Sequence, residues 1–124
     1  MKKNMLRIYL SGPIGPNDNR RPANVRCALE IGSKLIDEGF AVFVPHLYDA
    51  MELLCGEKPY ETWMDVDMAF LPTCHALVRL PDISPDVDRE VGYAEACHIP
   101  VFRTTGGSFD DLVRALRATF PGAA

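Results

Sequence analysis

Four short apolar runs alternate along this chain with segments whose apolar residues recur every three or four positions. That alternation constrains the fold more than any other feature. MLRIYLSG (residues 5–12), FAVFVP (40–45), HALVRLP (75–81) and PVFRT (100–104) are each short, apolar and bounded by turn residues, which predicts strands. The spacing of Val25, Ala28, Leu29, Leu35 and Ile36 predicts a helix over 22–38, stopped by Gly39. Further helices are predicted over 60–71, over 86–97 behind Ser84-Pro85, and over 108–120, where Ser108 and Asp111 form a capping-box-like start. Residues 46–59, with their Gly-Glu-Lys-Pro turn, give no clear assignment.

The resulting order is βαβαβαβα. Strands apolar on both faces, alternating with helices, imply a parallel sheet covered on both sides and joined by right-handed crossovers. The expected fold is α/β: a single Rossmann-like or flavodoxin-like domain over residues 1–124, with a parallel sheet of four to five strands flanked by helices. With strand order 2-1-3-4 the winding reverses between the first and third strands. Ligands bind beyond the carboxyl ends of the strands at such a reversal. The loops there are SGPIGPNDNRR and PDISPDVDRE.

Bulk properties exclude several classes. Apolar residues make up 48% and charged residues 24%, as in a globular domain with a core. The net charge of -4 argues against a nucleic-acid polymer as partner. No run reaches membrane-spanning length, and MKKNMLRIYLSG is too briefly apolar for a signal peptide. The four cysteines have no CxxC pairing and read as reduced thiols of a cytoplasmic protein. Three scattered histidines make no metal site, and no cofactor is expected.

The first loop brings Ser11, Gly12, Pro13, Ile14 and Gly15 ahead of Arg20, Arg21 and Arg26. Backbone N–H groups and arginines at a helix start suit a phosphate, although the glycine spacing is neither a P-loop nor GxGxxG. The plainer account is a Pro-Gly turn with solvated arginines. In YETWMDVDMAFL, Asp65 and Asp67 point in different directions on a helix, so at most one faces a site. In SPDVDREVGYAEA, the helix dipole accounts for Asp86 and Asp88 but fades by Glu90. An ionised Glu90 suits attack on a sugar anomeric carbon or activation of water; the alternative is a surface Glu paired with an Arg. His46 follows the second strand, where it contacts a phosphate or base, or simply caps the strand.

Taken together, IYLSGPIG, the Asp-bearing helix WMDVDMAFLPTCHALVRL and SPDVDREVGYA resemble the nucleoside 2-deoxyribosyltransferase superfamily, including its nucleotide N-glycosidase branch, over roughly residues 7–102. The resemblance implies that Glu90 is the nucleophile on C1′. It implies that Asp65 or Asp67 assists departure of the base. Ser84 stands where transferases acting on plain nucleosides carry an Asp, and the branch acting on nucleoside 5′-monophosphates carries a Ser. Ser84, Ser11, Gly12, the arginines and His46 are therefore expected around a phosphate, with Asp86 adding a neighbouring negative charge. The implied function is cleavage of the N-glycosidic bond of a (deoxy)nucleoside 5′-monophosphate, by hydrolysis or base transfer. The alternatives are a transferase for unphosphorylated nucleosides, a nucleotide-binding module without catalysis, and an enzyme acting on a nicotinamide cofactor or a modified base. A homodimer or higher homo-oligomer is implied, with residues 46–60 as its contact or as a lid.

Overall fold

The computed structural model describes residues 4–15, 20–82 and 84–122. Strand β1 (Arg7–Ser11) leads to helix α1 (Arg20–Asp37) and strand β2 (Ala41–Phe43). A 3₁₀ turn at Pro45–Leu47 opens α2 (Tyr48–Cys55), which is followed by α3 (Tyr60–Phe70) and strand β3 (Ala76–Arg79). Helix α4 (Pro85–Ala96), strand β4 (Val101–Arg103) and helix α5 (Phe109–Thr119) complete the chain. The sheet is four-stranded and parallel in the order β2-β1-β3-β4, the expected doubly wound topology. No helix among the described residues is long and apolar enough to cross a membrane.

The strands are shorter than their apolar runs because the flanking residues turn into loops. Helix α1 begins at Arg20, two residues before the expected start. Helix α2 fills part of the stretch that the sequence left unassigned. The capping box on α5 forms as expected, with Ser108 and Asp111 each accepting from the other's backbone N–H.

Side-chain alternation along the strands builds two cores. Ile8, Leu10, Ala76 and Val78 face α1 and α5, where Ala28, Leu35, Leu112 and Leu116 pack. Tyr9 and Leu77 face the other way, against Leu71, Val87, Val91 and Ala94. Arg79 shares the parity of Leu77 and reaches Asp88 on α4 at 3.2 Å. The same parity directs Tyr9 and Ser11 toward α4, and this positions the site described next.

Candidate functional site

A cavity of about 1220 Å³ opens at the carboxyl ends of β1, β2 and β3, where the winding of the sheet reverses. The loop after β1, the turn after β2 and the start of α4 line it, together with α2 and α3. Residues 16–19 of the first loop and residue 83 of the second lie outside the described residues.

Glu90 sits where an apolar residue would be expected. The buried stripe of α4 is Val87, Glu90, Val91 and Ala94, so the carboxyl is carried inward against the sheet and is only 5% exposed. There the Tyr9 hydroxyl donates to Oε2 and the Ser11 hydroxyl donates to Oε1 at 3.0 Å. Burial pushes the Glu90 carboxyl up to about 7. The charges of Asp67 and Asp86 add to that rise, while the Tyr9 and Ser11 hydrogen bonds oppose it. The Tyr9 hydroxyl is itself held far above its usual range, first by burial and then by the charge of Glu90, so it remains a donor.

Asp67 obeys the same logic on α3. Met64, Asp67 and then Leu71 form the buried stripe, and Asp67 is 5% exposed. Burial raises its carboxyl to about 6, opposed by the Tyr48 and Tyr9 hydroxyls. The Tyr48 hydroxyl lies near enough to act on this carboxyl, yet Tyr48 Oη and Asp67 Oδ1 are both buried without a hydrogen-bond partner among the described residues. Asp65, the other candidate, is exposed and does not line the cavity: two residues of helix turn it about 200° away from Asp67. Of the two aspartates, at most one of which was expected to face a site, Asp67 lines the cavity.

Several residues expected around a phosphate have contacts that hold the loop. Arg21 donates from Nε and Nη2 to the Gly15 carbonyl at 3.1 and 3.0 Å and reaches Asp49 and Glu52 through Nη1. Asn24 ties down the Ile14 carbonyl at 3.2 Å. A Cβ at Gly12 would lie 2.6 Å from the Leu80 side chain, so that glycine admits a neighbouring strand end. Gly15 adopts φ +86, which a side chain would strain. His46 is almost fully buried, and its Nε2–H donates to the Pro13 carbonyl at 3.3 Å. Burial lowers the imidazole to about 4, so His46 is neutral at pH 7 and supplies no charge for a phosphate. Its Nδ1 is left as a buried acceptor without a partner among the described residues. Ser11 is likewise committed to Glu90 and lies behind the cavity wall.

Gly12, Arg21 and His46 line the cavity together with Pro13, Ile14, Gly15, Arg20, Ser84 and Asp86, whereas Arg26 is exposed and does not. Ser84 caps α4, its Oγ accepting from the N–H groups of Asp86 and Val87 at 3.2 and 3.4 Å; this leaves its O–H proton available to donate. Asp86 accepts from the Tyr60 hydroxyl at 2.8 Å.

The outer wall is built largely from residues 46–60, the stretch expected to form an oligomer contact or a lid, and Trp63 joins it from α3. Tyr48 and Trp63 stack with ring centroids 4.1 Å apart. Glu52 accepts from Trp63 Nε1 and the Lys58 backbone N–H, both at 2.9 Å, and holds α2 to the loop before α3. Those hydrogen bonds keep the Glu52 carboxyl below its usual range. Helix α2 has no buried residue of its own; this hub, the aromatic stack and the Arg21 ion pairs to Asp49 and Glu52 hold it.

The chain is thus a single doubly wound α/β domain with two buried carboxyls at its switch point. No family model and no curated protein matches the chain significantly. Among solved structures, the chain is similar to a 2-deoxyribosyltransferase from Bacillus psychrosaccharolyticus, with 21% identity over 82% of this chain and 74% of that one, at a TM-score of 0.54. A conserved protein of Enterococcus faecalis is similar at 22% identity over 95% and 77% of the respective chains, with a TM-score of 0.58. The chain has the nucleoside 2-deoxyribosyltransferase-like fold.

Proposed function

We propose that the chain cleaves the N-glycosidic bond of a nucleoside-type substrate, with Glu90 acting at C1′ and Asp67 at the departing base. The observation that carries this reading is the pair of buried carboxyls facing one cavity, of which Glu90 is gripped by two hydroxyls while Asp67 keeps an unpartnered oxygen. Tyr9 and Ser11 fix the Glu90 carboxylate for attack or for electrostatic stabilisation of an oxocarbenium-like transition state. Asp67, with its raised affinity for a proton, protonates the leaving nitrogen. Water completes a hydrolysis, and a second base completes a transfer.

A 5′-monophosphate version of the reading is supported by Ser84, which lines the cavity at the N-terminus of α4 with a hydroxyl still able to donate, and by Arg20 on the cavity wall. Arg21 and His46 line the cavity as well, Arg21 tied to the Gly15 carbonyl, Asp49 and Glu52, and His46 without a charge. Chromatography of free base released from matched nucleosides and monophosphates, with and without an acceptor base, tests both versions. Release is expected with at least one neutral or charged nucleoside. Saturable binding with no base released from any member would replace catalysis with a binding role.

A homodimer belongs to the same proposal. Leu53 and Leu54 on α2 are each 82% exposed, and Leu47 and Met51 beside them are about half exposed. An apolar face of this kind on a helix bordering the cavity fits a second copy of the chain as its cover. Light scattering should give twice the chain mass, and the double substitution Leu53→Glu, Leu54→Glu should return it to the monomer mass. A monomeric parent protein at high micromolar concentration would remove the dimer.

A further inference from the structure

We propose that the cavity selects a positively charged nucleoside lacking a 5′-phosphate, one whose base is a pyridinium or an N7-alkylated purine. The inference rests on the glycosidic reading above and names its substrate class. Seven carboxyl side chains line the cavity against four cationic ones. Two of those cations are engaged elsewhere: Arg21 by Asp49, Glu52 and the Gly15 carbonyl, and Arg89 by Glu61. His46 adds none, because burial keeps it neutral. Deeper in, Glu90 and Asp67 are both nineteen-twentieths buried, and no ion pair reaches either among the described residues.

Buried carboxylates without a cation are costly to ionise, and a ligand cation is the compensation that the fold itself does not supply. A second observation also points to a ligand. Asp67 Oδ1, Tyr48 Oη and His46 Nδ1 are buried and unpartnered among the described residues, and all three residues line this cavity. The first and last of these are acceptors, so they suit the edge of an electron-poor ring bearing N–H groups. The stacked Tyr48–Trp63 wall offers a π surface to a flat cation. The described carboxyls do not group as a metal site, so the cation is an organic one. A 5′-phosphate would enter this surplus of negative charge at a loss.

The chemistry balances without an acid. As a Glu90 oxygen bonds to C1′, the C1′–N bond breaks and its electron pair goes to the ring nitrogen. The ring loses its positive charge and departs as a neutral base. Water then attacks C1′, the glutamyl ester bond breaks to regenerate the carboxylate, and the proton of water passes to solvent. One proton is released per turnover. With such a substrate Asp67 acts as counter-ion rather than as proton donor.

The test compares guanosine, 7-methylguanosine, nicotinamide riboside and the 5′-monophosphates of each at pH 6. Binding is measured by calorimetry to the inert Glu90→Gln protein, and base release is measured with the parent protein. The cationic nucleosides should bind about tenfold or more tighter than guanosine, an advantage that shrinks as salt is added. Adding a 5′-phosphate should weaken binding. Asp67→Asn should weaken binding of the cationic nucleosides more than that of guanosine, narrowing the difference between them. Guanosine or a monophosphate binding as well as the cations, and being cleaved, would overturn this inference and leave the glycosidic reading standing. No base released from any of them would overturn both.

Discussion

Glu90→Gln is expected to abolish base release and, at alkaline pH, to make the protein more stable. Loss of the anion at C1′ should cost on the order of 10³-fold or more in kcat, since no other side chain replaces it. The stability effect follows from burial. Folding raises the Glu90 carboxyl from its usual 4.5 to about 7, so the folded state holds its proton where the unfolded state has lost it. Stability therefore falls as pH rises through the window between 4.5 and 7, and the full penalty persists above it. That penalty is about 3 kcal/mol, and a neutral Gln of the same shape does not incur it. Gln can still accept from Tyr9 and donate to Ser11. At pH 8 the variant should melt on the order of 5–10 °C above the parent, and at pH 4 the two should coincide. Melting curves at both pH values, beside the activity assay, check this. A variant that is less stable at pH 8 would mean that Glu90 is held by a favourable charge interaction, as an ordinary structural glutamate would be. Stability lost for the sake of an active-site charge is a known trade-off, and here it has one named residue as its source.

The sequence carried the architecture because the strand and helix periods are strong and the parallel order follows from them. It also held more about the site than residue type alone reveals. Glu90 falls between Val87 and Val91 at the apolar spacing of α4, and Asp67 falls on the Met64–Leu71 line of α3. A carboxyl in a buried stripe marks itself, and the same test separates Asp67 from Asp65. Tyr9 was legible too, since it shares strand parity with Ser11. Other features had no local signal. Arg21 is spent on the Gly15 carbonyl and on two acids of α2 that lie 28 and 31 residues away. His46 loses its charge to burial that only the assembled loop creates. Helix α2 escaped assignment because none of its residues is buried, so its apolar side chains trace no stripe against the core. The glycine at position 12 serves contact with Leu80, which residue type alone cannot distinguish from approach to a ligand.

Asp67→Asn should separate the two carboxyls by their pH dependence on a neutral nucleoside. In the proposed mechanism, turnover there needs Glu90 ionised and Asp67 protonated. Their carboxyls lie at about 7 and about 6, so the working form is one arrangement of the singly protonated pair. The parent kcat/KM should then be bell-shaped, highest between pH 6 and 7 and falling on either side. Asn cannot give a proton, so kcat should drop by about 10²–10⁴-fold. The alkaline limb should vanish with the acid that produced it. The acid limb should then report Glu90 alone beside a neutral neighbour, at or slightly above its position in the parent, because the first proton lost by the coupled pair is shared with Asp67. Asp65→Asn, at an exposed position away from the cavity, should stay within about twofold of the parent at every pH, since surface substitutions of this kind act weakly. If Asp65→Asn reshaped the profile and Asp67→Asn left it intact, the proton donor would have to be sought on the opposite side of α3. A profile that keeps both limbs in both variants would assign the pair's protons to Glu90 and a group other than either aspartate, and Tyr48, whose hydroxyl burial holds above its usual range, would be the next residue to replace.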